Sequence, residues 1–253
     1  MTSAARERLL VRVPMLLISA AAWILLAIEP GGTVAVAHCS SMLAATTATV
    51  SPGLRLALNP SASLSVGWVV MLAAMMAPLL IAPVRHVRDR SFARRRARAI
   101  VLFVAGYGAI WIAAGVILVA LAATIQLSFP QSSAVALVTI AAVVWQFSPA
   151  KQGCLNRGHA HPELAAFGTA ADIGALRFGV THGLWCVGSC WAVMLVPLLI
   201  TQGHVPAMAV VTLWLVTERL DGPMPPRWRV RGPDKAARLA VAQMRTRMRL
   251  QRS

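Results

Sequence analysis

The chain has 253 residues, of which 58% are hydrophobic and only 13% are charged, and its formal net charge is +16 at pH 7. Soluble domains are less apolar, at about 45–50%, so this composition predicts a protein that crosses a membrane several times. The basic residues stand in clusters beside apolar runs, which argues against a nucleic-acid binder and for membrane orientation by charge. Four cysteines are too few and too scattered for a disulfide scaffold.

Apolar segments recur along the whole chain. A membrane span needs about 20 mostly apolar residues, and we predict about six spans, at residues 11–28, 62–84, 99–125, 133–147, 178–200 and 205–216. The fold class is therefore expected to be all-α, a polytopic transmembrane helical bundle. In this division a basic N-terminus (1–10) precedes the membrane domain (11–220), and a basic tail (221–253) follows it.

The first predicted span has a second interpretation, as a cleaved signal peptide. A basic start, an apolar run and the small residues of "AVA" before His38 fit that pattern. The apolar run ends at Glu29, however, well before His38, so the sequence favours a retained anchor. Cleavage would leave the orientation of the other spans unchanged.

The charges of the connections predict the orientation. Residues 85–98 hold seven arginines and residues 227–253 hold nine basic residues. The connections 29–61 and 126–132 together contain a single basic residue, Arg55. Both termini are therefore expected in the cytoplasm of a bacterium, with the chain in the cytoplasmic (inner) membrane. The basic tail could bind anionic lipid headgroups as an amphipathic helix or remain a solvated tail.

The second predicted span carries several methionines. Trp68, Met71 and Met75 recur at i, i+3 and i+7, which places them on one helix face, and Met76 adjoins them. Pro78 is expected to loosen the helix one turn later. The methionines could pack between helices or offer thioether ligands to a metal.

On the fifth predicted span, sulfur and imidazole recur every four residues. The series His182, Cys186, Cys190 and Met194 forms a slanting stripe, in which neighbours lie roughly 6 Å apart. Thiolate and thioether are soft donors that select Cu(I) over hard cations. Zinc is less favoured, because its structural sites usually take four Cys or His ligands.

Two other groups of soft ligands stand outside the spans. They are His38, Cys39 and Met42 in the first external connection, and Cys154, His159 and His161 in the connection before the fifth span. The first trio could capture a metal, and the second resembles half of a metal site. Either could also arise by chance.

Glu218 stands near the inner end of the sixth predicted span. A carboxylate inside a membrane is costly and often functional, but Glu218 could equally form an interfacial ion pair beside Arg219 and Asp221. The sequence slightly favours the interfacial position.

Three sequence blocks resemble a known family. They are "WVVMLAAMMAP" (68–78), "WQFSPAKQGCL" (145–155) and "HGLWCVGSCWAVM" (182–194), followed by Met208 and Glu218 at similar spacing. They are similar to blocks of the bacterial family of predicted metal-binding integral membrane proteins, a domain of otherwise unknown function. Ser189 departs from the pattern, since the family usually has a second adjacent cysteine there. The resemblance implies a metal site that includes Met71, Met75, Met76, Cys186 and Cys190.

The expected function is to bind a soft metal ion, with Cu(I) favoured, between the second and fifth spans, for metal handling or transfer. The proposed ligands are Met71, Met75, Met76, His182, Cys186, Cys190 and Met194. The alternative is a structural or assembly subunit of a membrane protein complex, in which the Met and Cys residues serve helix packing. An enzyme is disfavoured, because His182 near Cys186 is the only contender for a base and nucleophile pair.

Overall fold

A computed structural model describes residues 3–28, 60–200 and 203–229, together with residues 242 and 244. All the regular structure in these residues is helical, so the predicted all-α class is confirmed for this part of the chain. The helices are α1 (Ser3–Ile28), α2 (Pro60–Met76), α3 (Ile81–Asp89), α4 (Arg96–Ser128), α5 (Gln131–Phe147), α6 (Pro149–Gly158), α7 (Gly168–Leu199) and α8 (His204–Leu220).

Four helical stretches are long and apolar enough to cross a membrane: Leu9–Ile28, Gly67–Asp89, Arg96–Ser128 and Gly168–Leu199. The pair α5 and α6, bent by 64° at Ser148, provides a fifth if the two helices form one broken span. Helix α8 has 17 residues and is shorter than these stretches. Length and composition thus support four or five crossings, and the six-span topology stays a prediction.

The second apolar stretch is interrupted where the sequence placed Pro78. Helix α2 ends at Met76, a 3-10 turn covers Ala77–Leu80, and α3 follows. Proline has no N–H to donate to the preceding turn and its ring crowds the backbone there. The expected loosening of the helix takes the form of this 3-10 turn, directly after the methionine cluster.

Helix α7 is the central helix, and it packs most extensively against α4. The backbones approach closely because glycines line the contact: a Cβ placed on Gly106 of α4 would lie 2.6 Å from the carbonyl oxygen of Leu176, and one on Gly179 of α7 would overlap the carbonyl of Phe103. Small residues allow helices in membranes to pack in this way. Helices α5, α6 and α8 also pack against α7.

Helix α6 lies in a region that the sequence left as a polar connection, residues 148–177. The hydroxyl of Ser148 accepts a hydrogen bond from the backbone N–H of Lys151 at 3.2 Å, and Pro149 occupies the first helical position. Both are standard helix-start signals. The connection is therefore partly helical, and α7 begins at Gly168, ten residues before the predicted span.

The basic end of the molecule is held together by ion pairs. Asp172, in the first turns of α7, pairs with Arg95 at 2.8 Å and with Arg98 at 2.7 Å. These contacts join the arginine-rich segment before α4 to the start of α7. Most of the predicted basic tail lies outside the described residues, as does the segment with His38, Cys39 and Met42.

Candidate metal centre

The predicted stripe on α7 is buried along its whole length. His182 is 5% exposed, and Cys186, Cys190 and Met194 are each 1% exposed. The four-residue spacing holds them on one side of the helix, where α7 faces the interior. These four side chains therefore lie in the core of the protein.

The two thiols of this stripe interact with each other and with few other polar groups. The Cys186 sulfur lies 3.3 Å from the hydroxyl of Tyr107 on α4. The Cys190 thiol donates to the carbonyl oxygen of Cys186 at 3.0 Å. Ser189 donates to the same carbonyl at 2.7 Å. Both sulfur atoms are thus held close together in an apolar core.

Arg219 brings a positive charge to these thiols. Its side chain, at the end of α8, lies within electrostatic range of Cys186, His182 and Tyr107. The guanidinium passes close to Gly158 of α6, where a Cβ would lie 2.7 Å from Nη1. A nearby cation favours the thiolate, which is the form that binds a metal.

His182 lies among aromatic rings. Its ring centroid is 6.0 Å from those of Phe103 and Tyr107 and 5.8 Å from that of Phe178. Within the described part of the chain, no hydrogen bond joins His182 to Cys186.

The methionines of α2 belong to the same continuous buried core as the thiols. Met71, Met75 and Met76 are at most 5% exposed. Trp68 anchors α2 to α4, since its indole N–H donates to the carbonyl of Trp111 at 3.0 Å. Backbone packing between α2 and α7 is slight at most, whereas α8 packs against both of them and carries the fully buried Met208.

Cys154 approaches α7 from a different side. A Cβ on Gly188 would lie 2.8 Å from the Cys154 sulfur, and Gly188 is two residues from each of the paired cysteines, which places it on the opposite face of the helix. Among the described residues, no three His, Cys, Asp or Glu side chains form a group that could hold a metal. The predicted half-site of Cys154, His159 and His161 therefore does not assemble.

Glu218 is not the interfacial residue that the sequence favoured. It is 7% exposed, and both its carboxylate oxygens lie 2.8 Å from the ammonium of Lys151, which is fully buried. Gln146 bonds to both partners. A charged pair buried this deeply needs such additional hydrogen bonds, because desolvation is costly. The correction arises because Lys151 lies on α6, a helix the sequence did not predict.

The donor atoms of this centre fit Cu(I). Two thiols one helical turn apart, with a thioether at Met194 one turn further, form a soft donor set. Two residues of the centre were missed by the sequence analysis, Tyr107 and Arg219. Tyr107 is the single tyrosine of the chain, and a lone phenol amid an apolar span was the available signal for it.

These observations define an all-helical protein with long apolar helices and a buried soft-donor centre. The family model described as "PpoB2: Copper chaperone" matches residues 65–232, which is more than half of the chain. The protein therefore belongs to this copper chaperone family. No curated protein and no solved structure matches the chain. Family membership supports the predicted association with copper and a role in copper handling or transfer.

Proposed function

We propose that this protein is a multi-pass protein of the bacterial inner membrane that binds Cu(I) through Cys186 and Cys190 and passes the ion on. The observation that carries the proposal is that the two thiols stand one helical turn apart on the buried face of α7, in a chain that belongs to a copper chaperone family. Copper is the cargo of this protein, held between its arrival and its transfer.

The surface of the helices supports the membrane location. Large apolar side chains stand exposed along α4, among them Val101, Val116 and Ile117, which are 65–68% exposed. Ile140 of α5 and Leu17 of α1 are exposed to a similar degree. A water-soluble monomer rarely exposes so much contiguous apolar surface, whereas lipid chains would cover it.

The distribution of sulfur supports transfer rather than storage alone. Cys186 and Cys190 supply the strongest soft ligands, and Met194 supplies a thioether one turn away on the same buried face. Met71, Met75 and Met76 lie elsewhere in the same core, and α8 packs against both α2 and α7. We assign the α2 methionines to weaker binding before or after the thiols, because thioethers exchange Cu(I) more readily than thiolates do.

An anaerobic Cu(I) titration of the purified protein against a competing chelator tests the proposal. We expect one tightly bound ion in the wild type, and its loss in Cys186→Ser/Cys190→Ser. Cys154→Ser is the matched control, since that sulfur faces the opposite side of α7. Equal retention by the double variant would overturn the assignment, and a stable protein partner with no bound copper would favour the assembly role instead.

A further inference from the structure

Two histidines from distant parts of the chain meet at the basic end of the molecule. His86 lies on α3, and His161 lies in the segment between α6 and α7. Their ring centroids are 4.9 Å apart, with the rings edge to face at 64°. His161 is exposed and His86 is partly exposed, so an ion from the surrounding water can reach both rings.

The hydrogen bonds of these two rings leave one nitrogen of each available. Nε2 of His86 faces the carbonyl oxygen of Pro162 at 2.9 Å, and Nδ1 of His161 faces the carbonyl oxygen of His159 at 2.8 Å. A carbonyl only accepts, so these nitrogens carry the hydrogens. In a neutral ring the other nitrogen then holds a lone pair, which is the usual arrangement of a metal-binding histidine.

His159, the third histidine of this region, is engaged differently. Its Nδ1 faces the carbonyl oxygen of Leu155 at 2.8 Å, and its Nε2 faces that of Arg219 at 3.4 Å. Both nitrogens are thus directed at backbone acceptors. His159 is therefore a poor ligand, and it provides a matched control for the other two.

We propose that His86 and His161 form a second copper site, at the surface of the protein. The site would bind Cu(I) through Nδ1 of His86 and Nε2 of His161 after a small rotation of the side chains. Imidazole is a suitable copper ligand, and a two-ligand site suits Cu(I) better than zinc, which usually takes four ligands.

The position of the pair connects it to the buried thiols. Phe178 of α7 contacts both rings, with centroids 5.7 Å from His86 and 6.4 Å from His161, and on its other side it contacts His182 at 5.8 Å. The next ring, Tyr107, reaches the Cys186 sulfur through its hydroxyl. A row of rings thus runs from the surface pair to the buried centre, and His182 supplies an imidazole within it.

The test is an anaerobic Cu(I) titration, against chelators of graded affinity, of four forms of the full-length protein. These are the wild type, His86→Gln/His161→Gln, His159→Gln and Cys186→Ser/Cys190→Ser. We expect the wild type to bind a second, weaker equivalent, which is lost in the double histidine variant and kept in the other two. If the double histidine variant still binds the tight equivalent of Cu(I), this shows that the variant has folded.

X-ray absorption of the cysteine variant loaded with one Cu(I) should show nitrogen ligands and no sulfur ligand from the buried thiols. The proposal is overturned if the wild type binds no second equivalent, if the double histidine variant keeps it, or if His159→Gln loses it as well. If the cysteine variant still bound the tight equivalent of Cu(I), that result would contradict the buried thiol site instead. The surface site and the buried site are therefore tested separately.

Discussion

Two clusters of polar side chains are buried in this helical bundle, and they differ in how many of their polar atoms have strong hydrogen-bond or ion-pair partners. The ammonium of Lys151 and the carboxylate of Glu218 neutralise each other at 2.8 Å, with Gln146 bonded to both. The thiols of Cys186 and Cys190 instead make weak contacts with each other, with Tyr107 and with a helical carbonyl. Both groups are almost completely buried.

The difference separates a structural role from a binding role. The charged cluster has little left to offer a ligand, because its members satisfy each other, and it joins α5, α6 and α8. The sulfur atoms can release their weak contacts at little cost, since a thiol is a poor hydrogen-bond donor. A buried charge whose partners are complete indicates stability, whereas a buried soft donor with weak partners indicates a site for a ligand.

The largest expected effect is on the charged cluster. Glu218→Gln removes the carboxylate that neutralises Lys151, and breaking a buried ion pair in this way costs about 3–5 kcal/mol. We expect a large fall in the melting temperature of the detergent-purified protein, measured by circular dichroism. Glu163→Gln is the control, because Glu163 is exposed and its loss should leave the melting temperature unchanged. Equal melting of the two variants would contradict the structural role of the pair.

The next largest effect on stability is expected at the contact between α4 and α7, which brings Tyr107 to the thiols. In Gly106→Ala, the added Cβ meets the carbonyl oxygen of Leu176 at 2.6 Å, and such overpacking costs about 1–3 kcal/mol. Gly108→Ala is the matched control on the same helix, since a Cβ there meets nothing within 4 Å. The melting temperature of Gly106→Ala should be lower than that of Gly108→Ala. The reverse order would contradict the close packing of α4 on α7.

A smaller effect is expected at Arg219. Arg219→Gln removes a positive charge that favours the thiolate form of Cys186. We therefore expect the affinity for Cu(I) to fall about tenfold, equal to about 1.4 kcal/mol. Arg219→Lys should recover part of the loss, because it keeps the charge. The measurement is chelator competition at fixed pH. Unchanged affinity in Arg219→Gln would show that the guanidinium does not act on the thiols.

The smallest effect is expected at Tyr107. Tyr107→Phe keeps the ring between Phe103 and Trp111 but removes the hydroxyl that contacts Cys186. A single hydrogen bond contributes about 0.5–1.5 kcal/mol, so the melting temperature should change by a few degrees at most. Copper stoichiometry should stay at the wild-type value. Loss of the ion in this variant would make Tyr107 a ligand and revise the donor set.

The sequence predicted the apolar helices and the sulfur stripe because both depend on local pattern. A run of apolar residues defines a span wherever it occurs, and a four-residue spacing places Cys186 and Cys190 on one helix face in any packing. Helix α6 escaped prediction because "KQGCLNRG" is polar and short, although Ser148 followed by Pro149 gave a start signal.

The contacts between distant residues could not be predicted in the same way. Lys151 and Glu218 are 67 residues apart, and His86 lies on α3 whereas His161 lies in the segment between α6 and α7. No local pattern specifies which of several charges or imidazoles will meet. The interfacial assignment of Glu218 was wrong for this reason, since its neighbours in the chain, Arg219 and Asp221, are not its partners in the fold.

The central claim is that copper is bound by sulfur on α7, and X-ray absorption of the protein loaded anaerobically with one Cu(I) tests it most directly. We expect sulfur ligands in the wild type and in Cys154→Ser, and their loss or replacement by lighter atoms in Cys186→Ser/Cys190→Ser. A wild-type spectrum with only nitrogen or oxygen ligands, or an unchanged sulfur signal in the double variant, would contradict the account.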